Sequence, residues 1–525
     1  MSEPVSAGDE YARQLQSGAI ALVEPGRDRD RGEGPYGRLV LRGATIIDGT
    51  GAPAWGPADL VIQQNVITEI APVGAPGVPI GAAGRPAAGE REIDCTGKYV
   101  TPGFVDAHGH VGWPAHGRMG RQPPADYVYK LWLAHGVTTV REVGAMNGLT
   151  WTLGERDRAE RGDIAAPRLR VHAYVPAVND MLKTLYSVEA VREWVMKVAE
   201  KGANGLKFFG APPALMRAAL EAAKPLGLRT ACHHAQQAVS RANALTTARW
   251  GLDSAEHFYG LPEALFEDRA LQSYPADYNY LDEYMRFSHS GCGFALAAPP
   301  GSRHWNTVLD AFLDLDFTFV PTFGIYDANR DLMRARRADW HDSYTWPALW
   351  KSFQPNRVGH GSYWYRWSVA DEVQWKEHFR LWMCFLNAYK DRGGRVAAGS
   401  DSGFIFQVYG FGFIRELEML QESGFNALEV LRAATSKSAE LLGLADEVGI
   451  IDVGYRADLL IHVHNPLADF KLLYGTGALR LSEGAMSPSW QRALATTIAN
   501  GIVYDTEQLL HDVREMVAAE KAESR

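Results

Sequence analysis

Asp106, His108 and His110 occupy every second position within VTPGFVDAHGHVGW, Val100 to Trp113. Alternate side chains of an extended strand share one face, so these three converge on one point. Imidazoles and a carboxylate gathered in that way are donors for a divalent transition metal. The spacing does not decide the matter, because 16 histidines in 525 residues produce about half of one His-x-His pair by chance. His462 and His464, in ADLLIHVHNPL, show the same spacing in different surroundings.

Further donors stand at the ends of other strand-like runs: Lys207 in NGLKFFG, His233 and His234 in LRTACHH, His257 in LDSAEHF and Asp401 in RVAAGSD. Singly, each has an ordinary explanation as a rim histidine, a lysine with its stem on apolar surface, or a turn aspartate. Their shared place at the ends of successive strands makes them a set.

The elements that would position this set alternate. Short apolar runs between Val100 and Ala439 are separated by amphipathic stretches such as SVEAVREWVMKVAEKGA and PPALMRAALEAAKPLG. Eight strands with helices between most of them predict an α/β protein built on a (β/α)8 TIM barrel over 100–439, whose functional groups stand at the carboxyl ends of the strands. That span exceeds the roughly 250 residues usual for the fold, so insertions are predicted near 258–316 and 323–394. Alternating runs before and after the barrel, among them RLVLRGATIIDGTG and ATTIANGIVYDTE, predict a small β-sandwich from both chain ends, 38–99 and 440–510. Residues 1–37 end in the charged, glycine-rich GRDRDRGEGPYG and read as an extension and flexible linker. Residues 511–525 read as a C-terminal tail.

With 46% apolar residues, 22% charged residues and a formal charge of -9, the composition is that of a soluble globular chain. It disfavours a nucleic-acid partner, which needs clustered Lys and Arg. No run approaches the roughly 18 apolar residues of a membrane span, so no membrane partner is expected. Cys95, Cys232, Cys292 and Cys384 are widely separated, which predicts reduced thiols and a cytoplasmic protein. A homo-oligomer is compatible with this composition.

The run PGFVDAHGH resembles the PG-x-x-D-x-H-x-H signature of the amidohydrolase superfamily. HGVTTVREVG, GLKFF, HHA, AEHF, GSDSG and EVLRAATSKSAELLGLADEVGIIDVGYRADLLI resemble its later landmarks in order, over roughly Arg38 to Asp505. The sequence is most similar to the branch containing imidazolonepropionases and Xaa-Pro dipeptidases. The resemblance implies two divalent metal ions, with zinc expected: His108, His110 and Asp401 hold one, and His234 and His257 the other. Lys207 would bridge them as a carbamate formed from carbon dioxide, and Asp401 would act as catalytic general acid and base. His233 competes with His234, since alternation turns only one inward; His234 is preferred because the family's ligand usually precedes an alanine.

The implied activity is binuclear, metal-dependent hydrolysis of a C–N amide bond in a dipeptide, an N-acyl amino acid or a cyclic amide. One alternative is a mononuclear heterocycle deaminase, which would need a glutamate where Gln236 or Gln237 stands. Another is a non-catalytic assembly scaffold, which would be marked by missing ligands. Aromatic residues crowd the second insertion, where WKSFQPNRVGHGSYWYRW reads as a lid carrying Trp364 and predicts a bulky or aromatic small-molecule substrate. His172, Tyr174 and Tyr326 are placed to touch that substrate. In ADEVQWKEHFRLWMCFLNAY, Val373, Trp375, Phe379, Trp382, Met383 and Leu386 fall at helical spacing and read as core packing. Asp106 reads as structural, Arg141 and Glu142 as ion-pairing residues, and His462 and His464 as non-catalytic.

Overall fold

Eight strands pair in chain order, every neighbour parallel: Phe104–Gly109, Val137–Gly144, Arg168–Val175, Gly205–Phe208, Arg229–His233, Ser254–Glu256, Thr318–Val320 and Arg395–Val396. The computed structural model describes residues 22–81, 84–175, 187–236, 238–356 and 361–524. Backbone bonds from Ala107 N–H to Ala398 O (2.8 Å) and from Asp401 N–H to His108 O (2.7 Å) bring the last strand beside the first. The sheet therefore curls round on itself, as in a TIM barrel. Parallel strands in such a sheet are covered on both faces, and all eight residues of Val137–Gly144 are buried, Arg141 and Glu142 included.

Helices follow the strands where the sequence alternates. Val188–Glu200 starts at Ser187, whose side chain accepts from Ala190 N–H, and Val369–Asp391 starts at a Ser368–Asp371 capping box. The long helix buries Trp375, Phe379, Trp382, Met383 and Leu386 as its spacing predicts, whereas Val373 is exposed. Asp106 clamps the first strand to the eighth: its carboxylate accepts from His108 N–H, Ser400 N–H and the Ser400 hydroxyl, at 3.1, 2.9 and 2.5 Å.

Both chain ends enter one further mixed sheet, with the strands from Leu39–Ile46 to Tyr99–Pro102 and with Leu459–His462, Leu494–Ala499 and Ile502–Asp505. This sheet branches at Leu39–Ile46, whose first half pairs with Arg91–Asp94 and whose second half pairs with Tyr99–Pro102. Leu39, Leu41, Leu60, Ile62, Leu459 and Ile461 gather in one apolar cluster, as period-two alternation requires. His462 lies in this sheet with Nε2 3.0 Å from Thr101 Oγ1, and His464 is exposed.

Two terminal expectations are corrected. Residues 1–21 of the extension lie outside the described residues, but the charged segment after them is strapped down. Arg29 N–H donates to Asp163 O, its side chain donates to Gly162 O, and Glu33 and Val503 exchange backbone bonds. Arg31 pairs with Asp512 at 2.9 Å. The C-terminal tail is a helix, Thr506–Glu523, burying Leu509, Leu510, Val513 and Val517. No helix among the described residues is long and apolar enough to cross a membrane.

A buried ion pair fixes the second insertion. Arg415 donates to both carboxylate oxygens of Asp327 (2.8 and 3.2 Å), and Arg330 adds a bond of 3.0 Å. Asp327→Asn leaves the buried Arg415 charge with Glu418 alone, at 3.0 Å, and is expected to destabilise the chain by about 3 kcal/mol, read by urea denaturation. Burial alone would raise the Asp327 carboxyl, but Arg415 and Arg330 hold it below the ordinary carboxylate range. Its stabilisation is present above that range and is lost as pH falls through the depressed value. Wild type therefore loses more stability on acidification than Asp327→Asn does.

Candidate metal centre

Asp401, just past the eighth strand, faces three imidazoles. Its Oδ1 lies 3.3 Å from His110 Nε2 and 3.6 Å from His108 Nε2, and its Oδ2 lies 3.8 Å from His257 Nε2. His108, His257 and Asp401 each offer a ligand atom, all within 4.8 Å of one another. The two longer separations exceed hydrogen-bonding distance and leave room for a cation. The His257 ring is also 4.6 Å from that of His233. Lys207, on the fourth strand, is 4% exposed and makes no ion pair within 4 Å among the described residues. His257 (φ 66°) and Asp401 (φ 47°) both adopt the left-handed backbone region, uncommon outside glycine and found at functional sites.

Partners behind these groups aim them. His108 Nδ1 lies 2.6 Å from Glu256 Oε2. A carboxylate only accepts, so Nδ1 carries the proton and the Nε2 lone pair faces Asp401. Glu256 also accepts from Arg141 Nη2 (2.7 Å) and Ser254 Oγ (2.7 Å). Arg141 thus pairs across the barrel with Glu256, while Glu142 accepts from Val111 N–H and stands 3.5 Å from His110 Nδ1. His257 Nδ1 meets Thr322 Oγ1 at 2.6 Å.

Electrostatics keep most of these donors in the form a metal takes. Burial, then Lys207, lowers His108 to about 4, and burial holds His233 and His257 well below the usual imidazole range. Burial opposes charge on His110, but Asp401 and Glu142 outweigh it and raise that imidazole to about 9. Burial also resists ionisation of Asp401, yet His108, His110 and His257 hold its carboxyl well below the ordinary range. Lys207 is lowered by burial. His233 Nε2, on the ring beside His257, is buried without a hydrogen-bond partner among the described residues. An orphaned imidazole nitrogen there fits a divalent ion.

The preference for His234 is corrected. Its Nε2 meets Thr247 Oγ1 at 2.8 Å, on the helix Ala244–Arg249. Register explains the exchange: Ala231 lies beside Lys207 and His233 beside Glu256, so the inward face of the fifth strand carries His233. Tyr174 lies beside Lys207. His172 stands one pleat deeper, beside Gly205, where an added Cβ would come within 2.6 Å of its ring. Tyr326 is edge-on to His257 at 5.7 Å and stacks on Trp375. Trp364 is buried against Tyr363, Trp367 and Phe406, and none of these ring contacts is a donor of the centre. Residues 357–360 of the expected lid and Gln237 lie outside the described residues. Glu256 and Thr322 escaped the sequence reading; the only local signal was an acid directly before His257.

Residues 382–479 match the model of the Amidohydrolase family. The match includes Asp401 and the first strand of the returning sheet. Among solved structures, bottromycin amidohydrolase is similar over 98% of this chain and 95% of its own, with 20% identity and a TM-score of 0.62. A Xaa-Pro dipeptidase with methionine bound in its active site is similar over 89% and 100%, with 19% identity and a TM-score of 0.57. Ochratoxinase of A. niger is similar over 90% and 96%, with 14% identity and a TM-score of 0.56. At these identities the likeness concerns the fold. The curated proteins contain no sequence match to this chain.

Proposed function

We propose that this protein is a metal-dependent amidohydrolase that cuts a C–N amide bond in a small molecule. The observation that carries this reading is the meeting of His108, His257 and Asp401 within 4.8 Å at the carboxyl ends of the strands, beside His110, His233 and Lys207. The family match over Asp401 supports it. In this reading residues 100–439 are the catalytic barrel, framed by a β-sandwich of 38–99 and 440–510. Four free cysteines suit a reducing cytoplasm.

His108, His110 and Asp401 would hold one divalent ion, and His233 and His257 a second, with zinc the expected metal. Lys207, its amine favoured in the neutral form by burial, would add carbon dioxide and bridge the pair as a carbamate. Divalent ions held there supply Lewis acidity and lower the pKa of water. Asp401 accepts the proton of the attacking water and delivers it to the leaving nitrogen. Glu256, through His108 Nδ1, keeps that imidazole in its ligand tautomer. Gln236, three residues after His233, cannot exchange a proton as a deaminase glutamate would.

Elemental analysis of the gently purified protein is expected to give about two divalent ions per chain. The loaded enzyme should turn over members of a panel of N-acyl amino acids, dipeptides and lactams. A chain without metal that does not respond to added zinc would instead mark a scaffold.

A further inference from the structure

The insertion after the sixth strand carries helix Glu283–Ser290, which turns Arg286 and Phe287 inward. Trp375 Nε1 donates to Phe287 O at 3.0 Å and seats the helix. Phe287 stacks on Tyr363 at 4.0 Å and reaches Tyr326 at 6.3 Å, and Tyr326 is edge-on to His257. The inward face of this helix therefore borders the candidate metal centre.

Arg286 is 6% exposed. Its guanidinium lies 4.8 Å over the Tyr280 ring and 5.2 Å over the Phe287 ring, which fixes its plane. Nη1 faces Glu283 at 3.5 Å, but Nε is buried without a hydrogen-bond partner among the described residues. The hydroxyls of Tyr278 and Tyr280 are buried without a partner among the described residues, whereas that of Tyr259 faces Tyr326. Tyr259 lies 4.6 Å from His233, ring to ring. Buried donors without acceptors are costly to fold, and several of them on one side of a site call for an acceptor brought from outside.

We propose that Arg286, with the hydroxyl of Tyr280, binds a carboxylate of the substrate, so that the chain acts on acidic amides of the N-acyl amino acid class in preference to neutral amides. This deepens the hydrolase reading and rests on it for the chemistry, though not for the binding. The unpartnered Arg286 Nε and a neutral phenol match the two oxygens of a monoanion. Glu283 already offsets part of the Arg286 charge, which disfavours a phosphate dianion.

The test compares a series of N-acetyl-L-amino acids with their carboxamides on the metal-loaded protein, reading hydrolysis and ligand-induced thermal shift in parallel. Wild type should favour the acids in both readouts. Arg286→Gln should cut the acid-over-carboxamide ratio in kcat/KM by about 10–100-fold, chiefly through KM, and abolish the acid-specific shift. Arg286→Lys should keep part of the ratio, and Tyr280→Phe should lower it less than Arg286→Gln. An unchanged ratio in a folded Arg286→Gln variant overturns the carboxylate pocket while leaving the hydrolase reading intact. Acid-specific shifts that need Arg286, without turnover of any member, support the pocket and reject the hydrolase. A wild-type chain that neither binds nor cleaves any acid of the series overturns the proposal.

Discussion

Asp401→Asn is expected to leave the chain folded and to lower kcat by about 10⁴-fold, the upper end of general acid–base effects. The substitution keeps shape and removes charge. Asparagine tolerates the left-handed conformation held at φ 47°, so the loop after the eighth strand has no new backbone strain to relieve. An amide cannot take the proton of an attacking water or return it to a leaving amine. It also withdraws the one anion that three imidazoles face at 3.3, 3.6 and 3.8 Å, so bound metal should fall alongside turnover. Circular dichroism, elemental analysis and kcat on the best substrate of the panel measure the three effects. Activity within tenfold of wild type would remove Asp401 from the reaction.

The contrasting change is Asp106→Asn, a few residues away in space. Among the described residues Asp106 accepts hydrogen bonds from the backbone of His108 and Ser400 and from the Ser400 hydroxyl, and it spans two strands rather than facing the imidazoles. The sequence separated these two aspartates because alternation sets Asp106 a pleat below the histidines. The same rule sets His108 and Lys207 on the inward face, whereas His257 and Asp401 lie past the ends of their strands in left-handed backbone, where alternation no longer fixes direction.

Alternation alone did not resolve His233 from His234. Two consecutive histidines at the end of a strand face opposite sides, and only register against Lys207 and Glu256 says which side is inside. Glu256 and Thr322 act on imidazoles 148 and 65 residues distant in the chain, and such pairings exist only once the barrel closes. The charged segment before Tyr36 reads as a flexible linker for a related reason, since its partners at Gly162, Val503 and Asp512 are remote in sequence. The helix at Thr506–Glu523 is different. Leu509, Leu510, Val513 and Val517 repeat at helical intervals, so its apolar stripe was legible in the sequence without knowledge of any partner.

Lys207→Met is expected to act with opposite signs on stability and on function. In the metal-free chain the Lys207 ammonium is buried without an ion pair among the described residues, and burial outweighs the attraction of Glu256 and Asp401, so the charged form is disfavoured. Methionine fills comparable space without charge, and the metal-free variant should unfold at higher urea, by a margin on the order of 1 kcal/mol. A lysine whose folded value lies below its ordinary one binds fewer protons folded than unfolded, so wild-type stability should rise with pH between the lowered value and the ordinary 10.5. The variant should lack that rise. With metal present the order should reverse: methionine has no nitrogen to carboxylate, so the proposed bridging carbamate could not form. Metal content should fall from about two ions to one or fewer, and kcat by about 10³-fold, because a two-ion site stabilises both the attacking and the leaving atoms. A variant that is less stable than wild type when both are metal-free, yet still holds two ions, would show that Lys207 is a structural lysine and that the pair of ions is held without it.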